Sequence, residues 1–186
     1  MNGLTTHLRA LVLGSAAALW AVAPAFGGTA TLEALFAELA DPDNPDWSRA
    51  ESDILRAWSK SGSPSMDLLL KRGQEALEAG DLPAAVEHLT ALTDHAPEFA
   101  EGFATRASAY FLEGQLGPAV ADLAHTLQIE PRHFAALAGL GVILEQLGRD
   151  EAALGAYRAS LALHPHQDEV IQAIERLEKK TGGTAL

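Results

Sequence analysis

The chain contains no cysteine. That absence excludes disulfides, thiolate zinc sites, a cysteine nucleophile and a lipidated N-terminal cysteine. Basic residues are scarce: 13 Lys and Arg face 25 Asp and Glu, a formal net charge of −12. A nucleic-acid partner would need a local basic patch to overcome phosphate repulsion. The nearest candidate, Lys179–Lys180, closes a helix, where cations suit the dipole, so no nucleic acid is expected as a partner. Reaction signatures are missing as well, with no H-E-x-x-H, G-x-S-x-G or P-loop. GLGVIL (139–144) offers G-x-G without a third glycine and inside a helical stretch, which builds no nucleotide site. DPDNPDW (41–47) spaces Asp41, Asp43 and Asp46 like the start of a calcium loop. That loop then needs an oxygen ligand, a glycine and a glutamate where Pro45, Asp46 and Ser52 stand. The expectation is a non-enzyme without cofactor or metal.

What is present is helix-forming. Alanine and leucine supply 36 and 29 of 186 residues, and no alternating β-branched run competes with them. An all-α chain, long enough for one domain with a real core, is the first expectation. MNGLTTHLR, then the apolar ALVLGSAAALWAVAPAF, then GGTAT, has the layout of a secretory signal over 1–27. Ala23-Pro24-Ala25 supplies an A-x-A site, and the cut is expected between about 25 and 30. The expected location is periplasmic or secreted. The alternative is a membrane anchor, if the segment stays uncut.

A 34-residue step governs the rest. Pro97, Pro131 and Pro165 keep it, as do Gly80, Gly114 and Gly148, and Ala85, Ala119 and Ala153. The units run 66–99, 100–133 and 134–167, and each reads as two helices. In the second unit Phe103, Ala107, Tyr110 and Phe111 form an amphipathic stripe, Gly114 stops the helix, and Leu116, Ala119, Val120, Leu123 and Leu127 resume it. Pro83 and Pro118 sit in the first turn of second helices, where a missing N–H costs nothing.

These units resemble tetratricopeptide (TPR) repeats, whose pattern is W-x₂-L-G-x₂-Y, A-x₃-F and P over 34 residues. The slots hold Leu69, Arg72, Gly73, Ala76, Ala85, Leu89 and Pro97 in unit one. They hold Phe103, Arg106, Ala107, Tyr110, Ala119, Leu123 and Pro131 in unit two. Unit three has Leu137, Leu140, Gly141, Leu144, Ala153, Tyr157 and Pro165. Tryptophan is absent from the first slot and arginine twice replaces leucine. The resemblance implies a right-handed α-solenoid of three TPR hairpins with caps at both ends. A capping helix is expected over 168–180, with Val170, Ile171, Ile174 and Leu177 inward, and a disordered tail over 181–186. A degenerate helical pair over 31–62 is expected to cap the first unit, with Leu32, Leu35, Phe36 and Leu39, then Trp47, Ala50, Ile54, Leu55 and Trp58, turned inward. Stepping back 34 residues puts Leu55 in the Leu89 slot.

HPHQDE (164–169) offers the residue types of a divalent-cation site. In register, His164 ends a helix, which the dipole favours, while Asp168 and Glu169 open the next. All four polar residues are explained without an ion. The resemblance also implies a concave groove lined by first helices and holding a peptide or helix of another protein. By register the groove presents Asp67, Leu70, Gln74 and Leu77; Glu101, Ala104, Ser108 and Phe111; and Ala135, Ala138, Val142 and Glu145. The carboxylate clamp of some family members is absent, because Leu70, Gln74, Thr105, Ala135 and Gly139 fill its places. An apolar groove with acidic edges at Asp67, Glu78, Glu101 and Glu145 suits an apolar segment flanked by basic residues. The alternatives are a groove filled by the chain's own N-terminal pair, or by a second copy in a self-associating scaffold.

Overall fold

The computed structural model describes residues 31–182, so the signal-like segment lies outside the described residues. Among these residues there are nine α-helices and no strand: α1 (Leu32–Ala40), α2 (Trp47–Trp58), α3 (Pro64–Glu78), α4 (Leu82–His95), α5 (Ala100–Leu112), α6 (Leu116–Ile129), α7 (Phe134–Gln146), α8 (Asp150–Leu163) and α9 (Asp168–Gly182). The array is an all-α solenoid of hairpins α3–α4, α5–α6 and α7–α8, followed by α9.

The marker columns become geometry. Gly80, Gly114 and Gly148 have φ of 75°, 75° and 70°, the left-handed conformation that ends a helix without a Cβ clash. The residue after each donates its N–H back across the turn: Asp81 to the Ala76 carbonyl at 2.9 Å, Gln115 to Tyr110 and Arg149 to Leu144 at 2.8 Å. Ahead of each closing proline, Ala96, Glu130 and His164 leave the helical region, at φ −134°, −126° and −141°. The small column faces the large one: a Cβ on Gly73 would lie 2.5 Å from Leu89 Cγ, and one on Gly141 would lie 2.6 Å from the Tyr157 ring. Glycine lets the two helices of a hairpin close on a bulky partner.

Arg106, in a leucine slot, does not break this core. Its guanidinium makes a two-pronged contact with Asp122 of α6, Nε to Oδ2 at 2.7 Å and Nη2 to Oδ1 at 2.9 Å. Its third nitrogen donates to the Thr93 hydroxyl of α4 at 2.7 Å, so one side chain ties three helices together.

At the C-terminal end α9 buries Val170, Ala173 and Leu177 against Ala153, Leu154 and Tyr157. The helix reaches Gly182, so Thr181 and Gly182 are not a disordered tail; the Thr181 hydroxyl donates to the Leu177 carbonyl at 3.0 Å. Residues 183–186 lie outside the described ones.

The N-terminal pair corrects a second expectation. Helices α1 and α2 form and pack on each other, yet they do not cap unit one. Their cluster of Leu35, Phe36, Leu39, Ala50 and Ile54 closes on Phe134 at the start of α7, with Leu163 of α8 beside it, and includes nothing from α3 or α4. Leu55, placed by the 34-residue step in a core slot, is 41% exposed; Ile54 takes the buried position. The step assumes in-line stacking, whereas the arm lies along the edge formed by the α6–α7 and α8–α9 turns.

Candidate functional site

First helices share the concave side of the array, and a cavity of about 370 Å³ opens there between α5 and α7. Glu101, Ala104, Ser108 and Phe111 of α5 and Ala135 and Val142 of α7 line it, as placed by register. Leu123, Ala107 and Ile143 form its apolar floor. Leu112, missed because it is the last residue of α5, stands at the mouth 60% exposed, and Val142 is 41% exposed. Large apolar side chains left in water at a concave surface mark a place for an occupant.

Unit one stays apart from this cavity. Leu70 is 2% exposed and enclosed by Leu89, Leu92 and Ala109, so it belongs to the core and not to the groove. Leu77 packs half-buried in the same cluster. Gln74 is half-buried and lines neither this cavity nor the next. Asp67 accepts from the Ser61 N–H at 2.8 Å and hydroxyl at 2.7 Å, which hold its carboxyl below the usual range. The cause is that hydrogen bonds to the ionised form stabilise it.

Two more of the acids are also engaged. Glu101 accepts from the Thr105 hydroxyl at 3.4 Å and meets His133 Nε2 at 3.2 Å. Glu145 lines neither cavity; it binds Arg176 of α9 through both oxygens at 2.9 Å and accepts from Tyr157 at 3.1 Å. Burial and that carboxylate push the Tyr157 phenol up to about 12. Glu78 alone of the four expected edge acids is exposed and makes no ion pair among the described residues. Ser108 spends its hydroxyl on the Ala104 carbonyl at 3.3 Å. The polar groups of the α5–α7 cavity are thus largely satisfied within the chain, leaving aliphatic and aromatic surface to be covered.

A wider cavity of about 630 Å³ lies between α7 and α9, lined by Ala138 and, again, by Ala135 and Val142. Its wall includes Glu51 of α2, so the arm helps to shape the concave face. The arm is held at the rim mainly by aromatic and polar contacts. Trp58 stacks on His133 with centroids 4.3 Å apart and Trp47 on His166 at 4.7 Å, both 10° from parallel. Glu51 meets His164 Nε2 at 3.2 Å, and Arg132 binds Glu33 at 3.0 Å while lying over the Phe36 ring. HPHQDE is thereby read: His164 and His166 grip the arm, His166 reaching the Asp41 carbonyl at 3.2 Å. No group of three or more potential metal ligands converges among the described residues. No helix among them is long and apolar enough to cross a membrane.

No family model matches the chain. A TPR repeat-containing protein of Rhizobium etli is 32% identical over 153 residues, covering 82% of this chain and 75% of that one. The first TPR of Spaghetti (RPAP3), solved with an HSP90 peptide, superposes with a TM-score of 0.62 at 22% identity over 64% of this chain and 95% of that one. The Yersinia enterocolitica type III secretion chaperone SycD, solved with a peptide of the translocator YopD, gives 0.61 at 14% identity over 64% and 96%. MamA gives 0.60 at 23% identity over 74% and 84%. The repeat columns, their geometry and the Rhizobium relative agree: the chain belongs to the tetratricopeptide-repeat family.

Proposed function

We propose that this chain is a non-enzymatic adaptor whose α5–α7 groove takes an apolar peptide or helix of a partner protein. The observation that carries the reading is the cavity itself: apolar, open, flanked by exposed Leu112 and Val142, with its polar groups already satisfied. Covering such surface is worth about 25 cal/mol per Å², so a few aliphatic anchors supply most of the attraction. Similar folds were solved holding peptides in SycD and in Spaghetti, which supports a peptide here. Basic flanks on that segment suit a chain of net charge −12, acting through the summed field because most edge acids are paired. The signal-like start supports a place in the cell envelope.

Photo-crosslinking in the native host tests this, with the probe at Phe111 or Ala138 and a control at exposed Ala121 on α6. One protein captured from the groove positions and not from Ala121 is the expected result. Crosslinks only to a second copy of the chain would overturn it in favour of a self-associating scaffold.

A further inference from the structure

The arm has a core of its own and takes little from the repeats. Phe134 is the one buried apolar side chain they contribute, with half-buried Leu163 at its edge. The connection to α3 runs over 59–63, with Gly62 at φ 82°, and Asp67 anchors its far end through Ser61. An element joined by a short Ser/Gly segment and held by few apolar contacts can open while the array stays folded.

What closes it is a seam of imidazoles. His133 uses Nδ1 to accept the Ala136 N–H at 3.1 Å, so its proton sits on Nε2, toward Glu101. His164 is 3% exposed at its side chain and sits where arm and array meet. The Phe134 ring of α7 lies edge-on to it at 5.1 Å, the Trp47 ring of α2 at 5.5 Å, and Glu51 of α2 at 3.2 Å from Nε2. The other titratable group facing it is His166 of the α8–α9 turn at 6.0 Å, and Glu169 of α9 stands on the wall of the same cavity. Its Nδ1 is buried with no hydrogen-bond partner among the described residues.

A neutral ring with the proton on Nε2 fits this place, donating to the Glu51 carboxylate. A second proton would bury an N–H at Nδ1 with no acceptor, which is costly. Glu51 pulls the other way, but burial outweighs it and holds the imidazole below its ordinary value. On release the ring regains water and its ordinary pKa of about 6.5. The released arm therefore binds a proton that the docked arm refuses. Docking is at full strength above about 6.5 and weakens as pH falls below it, by at most about tenfold per pH unit for one proton.

We propose that the α1–α2 arm is a proton-released latch: it lies across the rim of the concave face while His164 is neutral, and swings free when His164 is protonated. Release removes the Glu51 wall of the α7–α9 cavity and bares the α6–α7 and α8–α9 turns. This holds whatever the groove binds.

Hydrogen-exchange mass spectrometry of the full chain between pH 7.5 and 5.5, corrected for intrinsic exchange, tests the latch. Amides of 32–58 are expected to lose protection by up to about tenfold per pH unit below about 6.5, while those of α5–α8 keep theirs. Two substitutions remove the proton site: His164→Phe keeps a ring against Phe134 and Trp47, and His164→Gln keeps a donor for Glu51. Arm protection that stays level with pH in either variant supports the latch. Protection independent of pH in the unmodified chain overturns it, as does loss from arm and repeats together, or the original slope surviving in both variants.

Discussion

Replacing Asp122 by alanine tests how an arginine came to stand in a leucine slot of a repeat core. The side chains of Arg106 and Asp122 are 14% and 10% exposed, so their pairing is close to a buried one. The Asp122 carboxylate is the leading cause that raises Arg106 above its ordinary value. Removing it leaves the guanidinium against the hydroxyls of Thr93 and Thr90 and the rings of Phe103 and Tyr110, with no anion in contact among the described residues and only the weaker charge of Asp94 acting on it. Stranding one partner of a buried pair costs about 3–5 kcal/mol, and the residual exposure argues for the lower end, about 3. That is roughly a 150-fold loss in the folding equilibrium, and for a domain of this size a fall in Tm of about 6–12 °C. Arg106→Leu should cost a similar amount by stranding the carboxylate. The double substitution Arg106→Leu with Asp122→Leu should recover most of the loss, since apolar replacement of both partners is commonly neutral or better. Thr93 keeps a partner there, because its hydroxyl already donates to the Thr90 carbonyl at 3.1 Å. Urea and thermal unfolding of the four proteins, followed by circular dichroism, close the cycle. Single variants that each cost under about 1 kcal/mol, or costs that simply add in the double, would refute the reasoning.

Other perturbations read other parts of the molecule. Gly141→Ala drives a methyl into the Tyr157 ring and should destabilise by about 1–3 kcal/mol despite better helix propensity, measured by the same unfolding curves. Gly114→Ala meets no neighbouring atom, so its cost of about 1–2 kcal/mol comes from the positive φ alone; an unchanged Tm would show that the turn relaxes. Tyr157, raised to about 12, keeps its proton after the unfolded phenol has lost its own at about 10. Its contribution to stability is therefore complete below pH 10 and lost between 10 and 12, and Tyr157→Phe should flatten the alkaline fall in that window. Phe111→Asp should abolish partner capture by the groove while leaving the helical circular dichroism intact; capture that survives would place the site elsewhere.

The repeats were legible because each marker column meets a local need that must recur: a left-handed turn at Gly80, Gly114 and Gly148, a helix end before each proline, and a close contact at the small positions. Gly73 is small because Leu89 faces it, and Gly141 because Tyr157 does, so a fixed spacing in sequence reports a fixed spacing between helices. The groove was legible only in part. Register put Glu101, Ala104, Ser108, Phe111, Ala135 and Val142 on one cavity, yet it could not see that α3 turns Leu70 into the core. Nor could it see that Glu101 and Glu145 are engaged by His133 and Arg176, residues 32 and 31 positions away.

The arm shows where the periodic argument stops. Its contacts join Glu33 to Arg132, Glu51 to His164 and Asp41 to His166, at separations of 99, 113 and 125 residues. No local pattern encodes pairings of that range, and a repeat step can only extend the array in line. What the sequence did carry was the side chains without their pairing. Register suits two histidines to a helix end and two tryptophans to the inner side of a short amphipathic helix, but it names no partner for any of them. Trp47 stacks on His166 and lies 5.5 Å from His164, while Trp58 stacks on His133, so rings far apart in the sequence account for each other. Residues to which a structural register assigns no partner are thus best tested against one another before an ion or a substrate is invoked. In this chain that rule converts an apparent metal site into the clasp that holds the arm to the rim of the array.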